Sequence, residues 1–211
     1  MIRWLVAIVV VAAGAVSMAG KQGNFLSSVA DHNEPGLAFL KVRGFMLMET
    51  NYHMQRVPEA YPELKIEGFR FDIYRGGDET TNAQIADQNR RLYAHDAVAY
   101  FTAPEEVERV FTVEGRFMIV ARESESGDVA GFVDITKEAF VCNLGVARKH
   151  WGSGVALELS RRTITAGHNL GVDQIRSFVR STNAASLRMQ KRVGMEVEGT
   201  TYQYKRPYPD A

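Results

Sequence analysis

Apolar residues recur along the last third of the chain in two rhythms. Val155, Leu157, Leu159, Ile164 and Ala166 fall with helical spacing between Gly154 and Gly171, which predicts an amphipathic helix over 155–170 with Gly171 as its stop. Residues 175–179 form a short apolar run of strand length. Leu187 and Met189 mark a second helix over 183–192, closed by Gly194, and 195–204 alternates as a final strand. Upstream, 69–74 reads as a strand and 82–93 as a helix. Residues 104–110 read as a second helix, with Pro104 at an early helical position. Residues 117–121 and 129–135 read as a hairpin around Ser126-Gly127-Asp128, and 140–146 as a strand running straight into Gly152-Ser153-Gly154. The expected fold class is α/β with a mixed sheet, from about residue 64 to the end.

The front of the chain repeats its back. At a constant offset of 150 positions and with no gap, Ser27 meets Ser177, Val29 meets Val179, Asn33 meets Asn183 and Leu37 meets Leu187. Lys41 likewise meets Lys191, Gly44 meets Gly194, Thr50 meets Thr200, Tyr52 meets Tyr202 and Arg56 meets Arg206. These nine identities over 24–56 compare with about two expected by chance, so an internal repeat is the economical reading. It divides the chain into a partial copy over 1–60 (helix, strand, helix, strand) and a complete domain over 61–211. Residues 57–64 are the expected linker.

The first 20 residues admit two readings. Trp4 to Val16 is an unbroken run of apolar and small residues behind Arg3, with Ser17-Met18-Ala19 as a small-residue site after it. Taken alone, that is the pattern of a secretory signal peptide or anchor, though it is short of the roughly 20 apolar residues that span a bilayer. In the repeat, residues 5–20 fall opposite the helix at 155–170, which makes them the remnant helix of the partial copy; this reading is preferred.

Composition narrows the function classes. Lys+Arg and Asp+Glu are equal at 25 each, which argues against a nucleic-acid partner bound through phosphate neutralisation. Cys142 is the single cysteine, so no internal disulfide framework exists and a reducing, cytoplasmic location is expected. The alternative is export or anchoring through residues 1–20; otherwise no membrane partner is expected. His32, His53, His95, His150 and His168 show no metal-ligand spacing with one another or with Cys142, so no metal is expected.

The chemistry concentrates between Leu144 and Leu159. A loop at a helix N-terminus points free backbone N–H groups outward, and the helix dipole adds positive potential there. That is a site for a pyrophosphate, and glycines let phosphate oxygens approach without a Cβ in the way.

The phrase Val146-Ala147-Arg148-Lys149-His150-Trp151-Gly152-Ser153-Gly154-Val155-Ala156 resembles the acyl-CoA-binding motif of the GCN5-related N-acetyltransferases (GNAT). About thirty residues on, Asn183-Ala184-Ala185-Ser186, Lys191-Arg192-Val193-Gly194-Met195 and Glu198-Gly199 resemble the closing helix and strand of that superfamily. The phrase is particularly similar to the branch that acetylates ribosomal protein N-termini and some small amines. The resemblance covers about 64–211, and Asn33, Lys41, Gly44 and Phe45 extend it to the partial copy, as in a tandem acetyltransferase whose first copy has lost its front.

The resemblance implies the GNAT acyl-CoA N-acyltransferase fold, with acetyl-CoA as cosubstrate in a splay of the sheet. The backbone of Leu144 and Val146 would hold the pantetheine arm. Gly152, Ser153, Gly154, Val155 and Ala156 would cradle the pyrophosphate beside Trp151. Arg148 and Lys149 would pair with phosphates, and Asn183 and Ser186 would lie near the lower part of the cofactor.

The expected activity is transfer of the acetyl group to a primary amine of a small molecule or peptide by direct attack, with a backbone N–H near Val146 polarising the carbonyl. Glu138 and His150 are the candidate bases and Asp134 a third; a covalent route through Cys142 is a remote fourth. Many members protonate the leaving thiolate with a Tyr where this chain has Gln190. The alternatives are a degenerate acyl-CoA-binding or protein-interaction module, and a secreted or tethered protein of unrelated role. The acceptor pocket is expected around 80–110, with Arg90, Arg91, Tyr93, His95, Tyr100 and Phe101. The partial copy is expected to cover a sheet edge, in this chain or in a second one as a homodimer.

Overall fold

The computed structural model describes residues 24–94, 101–113 and 115–207. The apolar run of residues 1–20, with both its readings, lies outside the described residues, as do His95 and Tyr100. The protein is mixed α/β with an eight-stranded mixed sheet. It divides into two compact units. The larger comprises Gln55–Ser177 and Arg188–Glu196; the described part of the smaller comprises 24–54, 178–187 and 197–207.

In the larger unit, β3 (Phe69–Tyr74), β4 (Phe117–Glu123), β5 (Val129–Ile135) and β6 (Phe140–Val146) form an antiparallel meander. The period-two rhythm of β4 sorts its side chains onto two cores. Met118 and Val120 join Ile85, Val107 and Phe111 from α2 (Glu79–Leu92) and α3 (Pro104–Thr112). Phe117, Ile119 and Ala121 join Val155 and Leu159 from α4 (Val155–Leu170). With helices over both faces, every residue of β5 is buried, as in sheets covered on both sides. Each fully buried side chain such as Ile85 or Leu159 contributes about 1.5–3 kcal/mol.

Helix ends follow side-chain chemistry. Predicted from residue 82, α2 begins at Glu79, because the Asp78 carboxylate accepts the Thr80 N–H at 3.1 Å and so caps the first turn. The cap of α3 is supplied from inside the helix: the Glu106 carboxylate accepts the backbone N–H groups of Thr102 (2.6 Å) and Ala103 (3.1 Å). Glu158, on α4, is fully buried and held by Arg162 Nε at 2.8 Å.

In the smaller unit lie β1 (Asn24–Ala30), α1 (Glu34–Val42), most of β2 (Met46–Arg56), the end of β7 (Ile175–Arg180), the start of α5 (Ala184–Arg192) and nearly all of β8 (Glu196–Pro207). Its strand order is β1-β8-β2-β7, with β1 antiparallel to β8 from Asn24↔Pro207 to Ala30↔Thr201. The bounds of α1 and α5 differ by 150 at both ends, and β2 begins 150 positions before β8. Both helices carry the same cap, Asn33 Oδ1 accepting Gly36 N–H and Asn183 Oδ1 accepting Ser186 N–H, each at 3.0 Å. Among the described residues no helix is long and apolar enough to cross a membrane, and no group of three or more His, Cys, Asp or Glu is placed to hold a metal ion.

Candidate active site

The site is built from the end of β6. Its parallel pairing with β7 consists of Phe140↔Arg176 and Val141↔Ser177, although β6 continues to Val146. On its other edge the ladder to β5 runs on, and the Ala147 N–H reaches Ala130 C=O at 2.9 Å. Backbone groups alternate in direction along a strand. With Ala147 turned toward β5, the groups of Leu144 and Val146 face the edge where the β7 pairing has ended. The Trp151 indole donates to Val146 C=O at 2.9 Å, which leaves the Val146 N–H as the outward donor there.

After β6 the chain makes a 3-10 turn over Arg148–His150 and enters the glycine loop. Gly152 and Gly154 have φ of 85° and 94°, a region that side chains with a Cβ enter only with strain. A Cβ on Gly152 would meet nothing within 4 Å, so the loop is open on that side. Gly154 is the N-cap of α4 and has no side chain to cap the helix. The Val155 N–H turns back on Ser153 Oγ at 3.4 Å, and the next first-turn N–H groups remain for an anion, with the helix dipole behind them.

The loop is pinned from below by Glu123, at the end of β4. Its carboxylate accepts from Lys149 Nζ and lies 2.9 Å from His150 Nε2. The Lys149 ammonium and then the His150 ring hold this carboxyl down to about 2. His150 is 14% exposed in its side chain and stands edge-on to the Phe69 ring at 5.0 Å. Its C=O accepts from Ser153 Oγ at 2.7 Å. His150, a candidate base, is thus placed as an anchor of the loop. Glu138 is exposed in the turn before β6, at the far end of a seven-residue strand about 20 Å long; the structure does not bring it to the loop. Asp134 is fully buried and bonded to Arg116 Nη1 at 2.9 Å. Cys142 is half-buried, its Sγ 3.9 Å from Phe140 C=O.

Leu144, Val146, Arg148, Trp151, Gly152, Ser153, Gly154, Val155 and Ala156 are gathered in the larger unit. Asn183 and Ser186 belong to the smaller one. Arg148 stacks over Trp151 at 5.7 Å and lines, with Lys149, Arg91, Gln88 and Asp128, a cavity of about 520 Å³.

A polar network missing from the sequence reading crosses the α2 face of β6. Tyr93 OH donates to Asn143 Oδ1 (2.6 Å), Asn143 Nδ2 to Asn89 Oδ1 (2.7 Å), and Asn89 Nδ2 to Phe101 C=O (2.7 Å). The sequence signal was weak: two Asn in segments otherwise read by their apolar rhythm. Phe101, expected at an acceptor pocket, is buried in the core against Phe132. Arg90 and Arg91 are exposed partners of Asp87. Gln190 Oε1 accepts from Ser177 Oγ at 2.6 Å, at the point where the β6–β7 pairing stops.

Comparison with known proteins bears on the fold. Among solved structures, a GCN5-related N-acetyltransferase from Sphaerobacter thermophilus superposes with TM-score 0.69 at 17% identity, over 90% of this chain and 62% of that one. A tandem GNAT protein from the clavulanic acid biosynthesis pathway gives TM-score 0.64 at 15% identity, over 89% and 65%. The yncA structure from Salmonella typhimurium, solved with its cofactor acetyl-CoA, gives 0.52 at 16% identity, over 69% and 96%. The chain spans less than two thirds of the length of the first two. No curated protein matches the sequence. The family model of the acetyltransferase (GNAT) domain matches residues 75–196, more than half of the chain, and the protein therefore belongs to the GNAT acetyltransferase family.

Proposed function

We propose that this protein transfers the acetyl group of acetyl-CoA to a primary amine, and that it is a tandem-type acetyltransferase whose first copy is partial. The carrying observation is the conjunction at the end of β6: two left-handed glycines leading into a helix without a side-chain cap, beside a strand edge that has lost its partner. The residues fit acetyl-CoA. Gly152 offers an approach that a Cβ would obstruct, and the first turn of α4 offers donors to a pyrophosphate. The N–H of Val146 is directed to hold the pantetheine arm or polarise a carbonyl oxygen. Acetyl-CoA itself supplies the activated acyl group. The chain supplies orientation, and positioning alone accounts for much of the rate in such transfers.

A second reading, acyl-CoA binding without turnover, gains from Gln190. Its carbonyl oxygen is held by Ser177, and its amide N–H groups can donate hydrogen bonds but are too weakly acidic to protonate a leaving thiolate. Calorimetric titration with acetyl-CoA, with Gly154→Trp as control, tests the binding claim, and a screen of primary amines for free thiol release tests turnover. Micromolar binding lost in the control with thiol release supports the transferase. Binding without release supports the second reading. No binding at millimolar cofactor refutes both.

A further inference from the structure

Gln88 of α2 is a buried amide satisfied at one end only. It is 7% exposed. Its Nε2 donates to Ala130 C=O at 3.4 Å, the same carbonyl that accepts the Ala147 N–H at 2.9 Å. A carbonyl oxygen takes only donors, so this contact fixes which end of the amide faces β5. The other end is Oε1, and no donor among the described residues reaches it. Gln84, one turn earlier, has both ends engaged: its Nε2 donates to Asp128 Oδ1 at 2.8 Å and its Oε1 accepts the Val129 N–H at 3.0 Å. An acceptor left unpaired in the interior costs about 1–3 kcal/mol, so the bare oxygen of Gln88 calls for a donor.

Gln88 lines the cavity of about 520 Å³ beside the end of β6, whose apolar walls are Leu92, Val129 and Ala147. Arg148 and Asp128 line it as well. Arg148 stacks over Trp151 and Asp128 accepts from Gln84, and neither has an ion pair among the described residues. All of these residues belong to the larger unit. Through Ala130 C=O the Gln88 amide shares a partner with Ala147, the residue after Val146, whose N–H is the outward donor at the edge where the β7 pairing has ended.

We infer that this cavity is the acceptor subsite and that the acceptor is a small zwitterion, a primary amine that also carries an acidic group. Gln88 Oε1 receives an N–H of the amine, and the acidic group pairs with the Arg148 guanidinium. The Asp128 carboxylate favours an incoming ammonium, and the apolar walls enclose the carbon skeleton. A polyamine would instead set a second positive charge against Arg148, without a carboxylate of its own to offer. The inference assigns Arg148 to the acceptor and leaves the cofactor phosphates to the glycine loop. It rests on the acetyl-transfer reading, which it deepens by naming the class of amine.

The test measures thiol release from acetyl-CoA by the full chain, with the common L-α-amino acids and O-phosphoethanolamine set against putrescine and spermidine. The best zwitterion is expected to give a kcat/KM at least about tenfold above either polyamine. Gln88→Met keeps the bulk and removes the acceptor oxygen. It is expected to raise the KM for that zwitterion about three- to tenfold and to leave the KM for acetyl-CoA within about twofold. Faster turnover of the polyamines overturns the inference and leaves the transferase standing. So does a Gln88→Met protein that keeps its acceptor KM. If Gln88→Met does not fold, the two amine classes on the unaltered chain decide alone. If no amine releases thiol, calorimetric titration of the same zwitterions in the presence of acetyl-CoA separates the two claims. Binding without release upholds the cavity and refutes the transfer, whereas no binding overturns the cavity as well.

Discussion

Replacing Gly154 by Ala isolates the contribution of backbone conformation to the anion site. At φ 94° an Ala residue costs about 1–2 kcal/mol relative to its preferred regions. The added Cβ would also lie 3.2 Å from Ile66 Cδ1, a terminal methyl that yields with little penalty. Gly152→Ala carries the same conformational cost at φ 85° and sets its Cβ on the open side, with no protein atom within 4 Å, so it adds obstruction of the cofactor to the strain that both variants share. If the loop keeps its shape, the cost appears as stability; if it relaxes, acetyl-CoA affinity falls by about 5–30-fold. Calorimetry and a urea melt on each variant sum the two contributions. We expect similar losses of stability for both and the larger loss of acetyl-CoA affinity for Gly152→Ala. Two variants that bind and melt like the unaltered protein would refute the cradle.

Three further outcomes follow from the same geometry. The Glu123 carboxyl is held at about 2 against an ordinary 4.5. Its pairing therefore stabilises the fold above pH 4.5 and ceases to do so as pH falls toward 2; Glu123→Gln should lower the melting temperature at pH 7 and converge with the unaltered protein near pH 2. A constant difference across that range would sink this account. Arg116→Met removes the guanidinium from the buried Asp134 carboxylate and should cost about 3–5 kcal/mol in urea unfolding, whereas a loss under about 1 kcal/mol would show the pair to be dispensable. Tyr93→Phe removes the 2.6 Å donor to Asn143 and should cost about 0.5–1.5 kcal/mol; an unchanged melt would mean that water replaces the phenol.

The larger unit was written in local patterns that the sequence exposes. The helix over 155–170, the strand over 69–74 and the turn into Gly152 were legible because apolar period, glycine position and strand length agree there. The start of α2 was misplaced by three residues, since the Asp78 cap precedes the first apolar residue and periodicity carries no trace of it. The 150-residue offset was visible as identities, yet the exchange of strands was not, because register between distant segments leaves no short-range pattern. His150 read as a possible base from its place in the motif. Only the position of Glu123, 27 residues earlier in the chain, gives it the work of an anchor. The Asn89–Asn143–Tyr93 network likewise joins residues 50 or more positions apart across β6.

The burial of all seven residues of β5 has a consequence during synthesis and refolding. Val129–Ile135 is uniformly apolar except for Asp134, and before its helices arrive such a segment is a template for intermolecular β-stacking. Asp134 then acts as a gatekeeper, since its charge in the unfolded chain opposes the packing of identical segments on one another. Arg116 neutralises that same charge once the strand is enclosed, so the ion pair reconciles resistance to aggregation with a closed core.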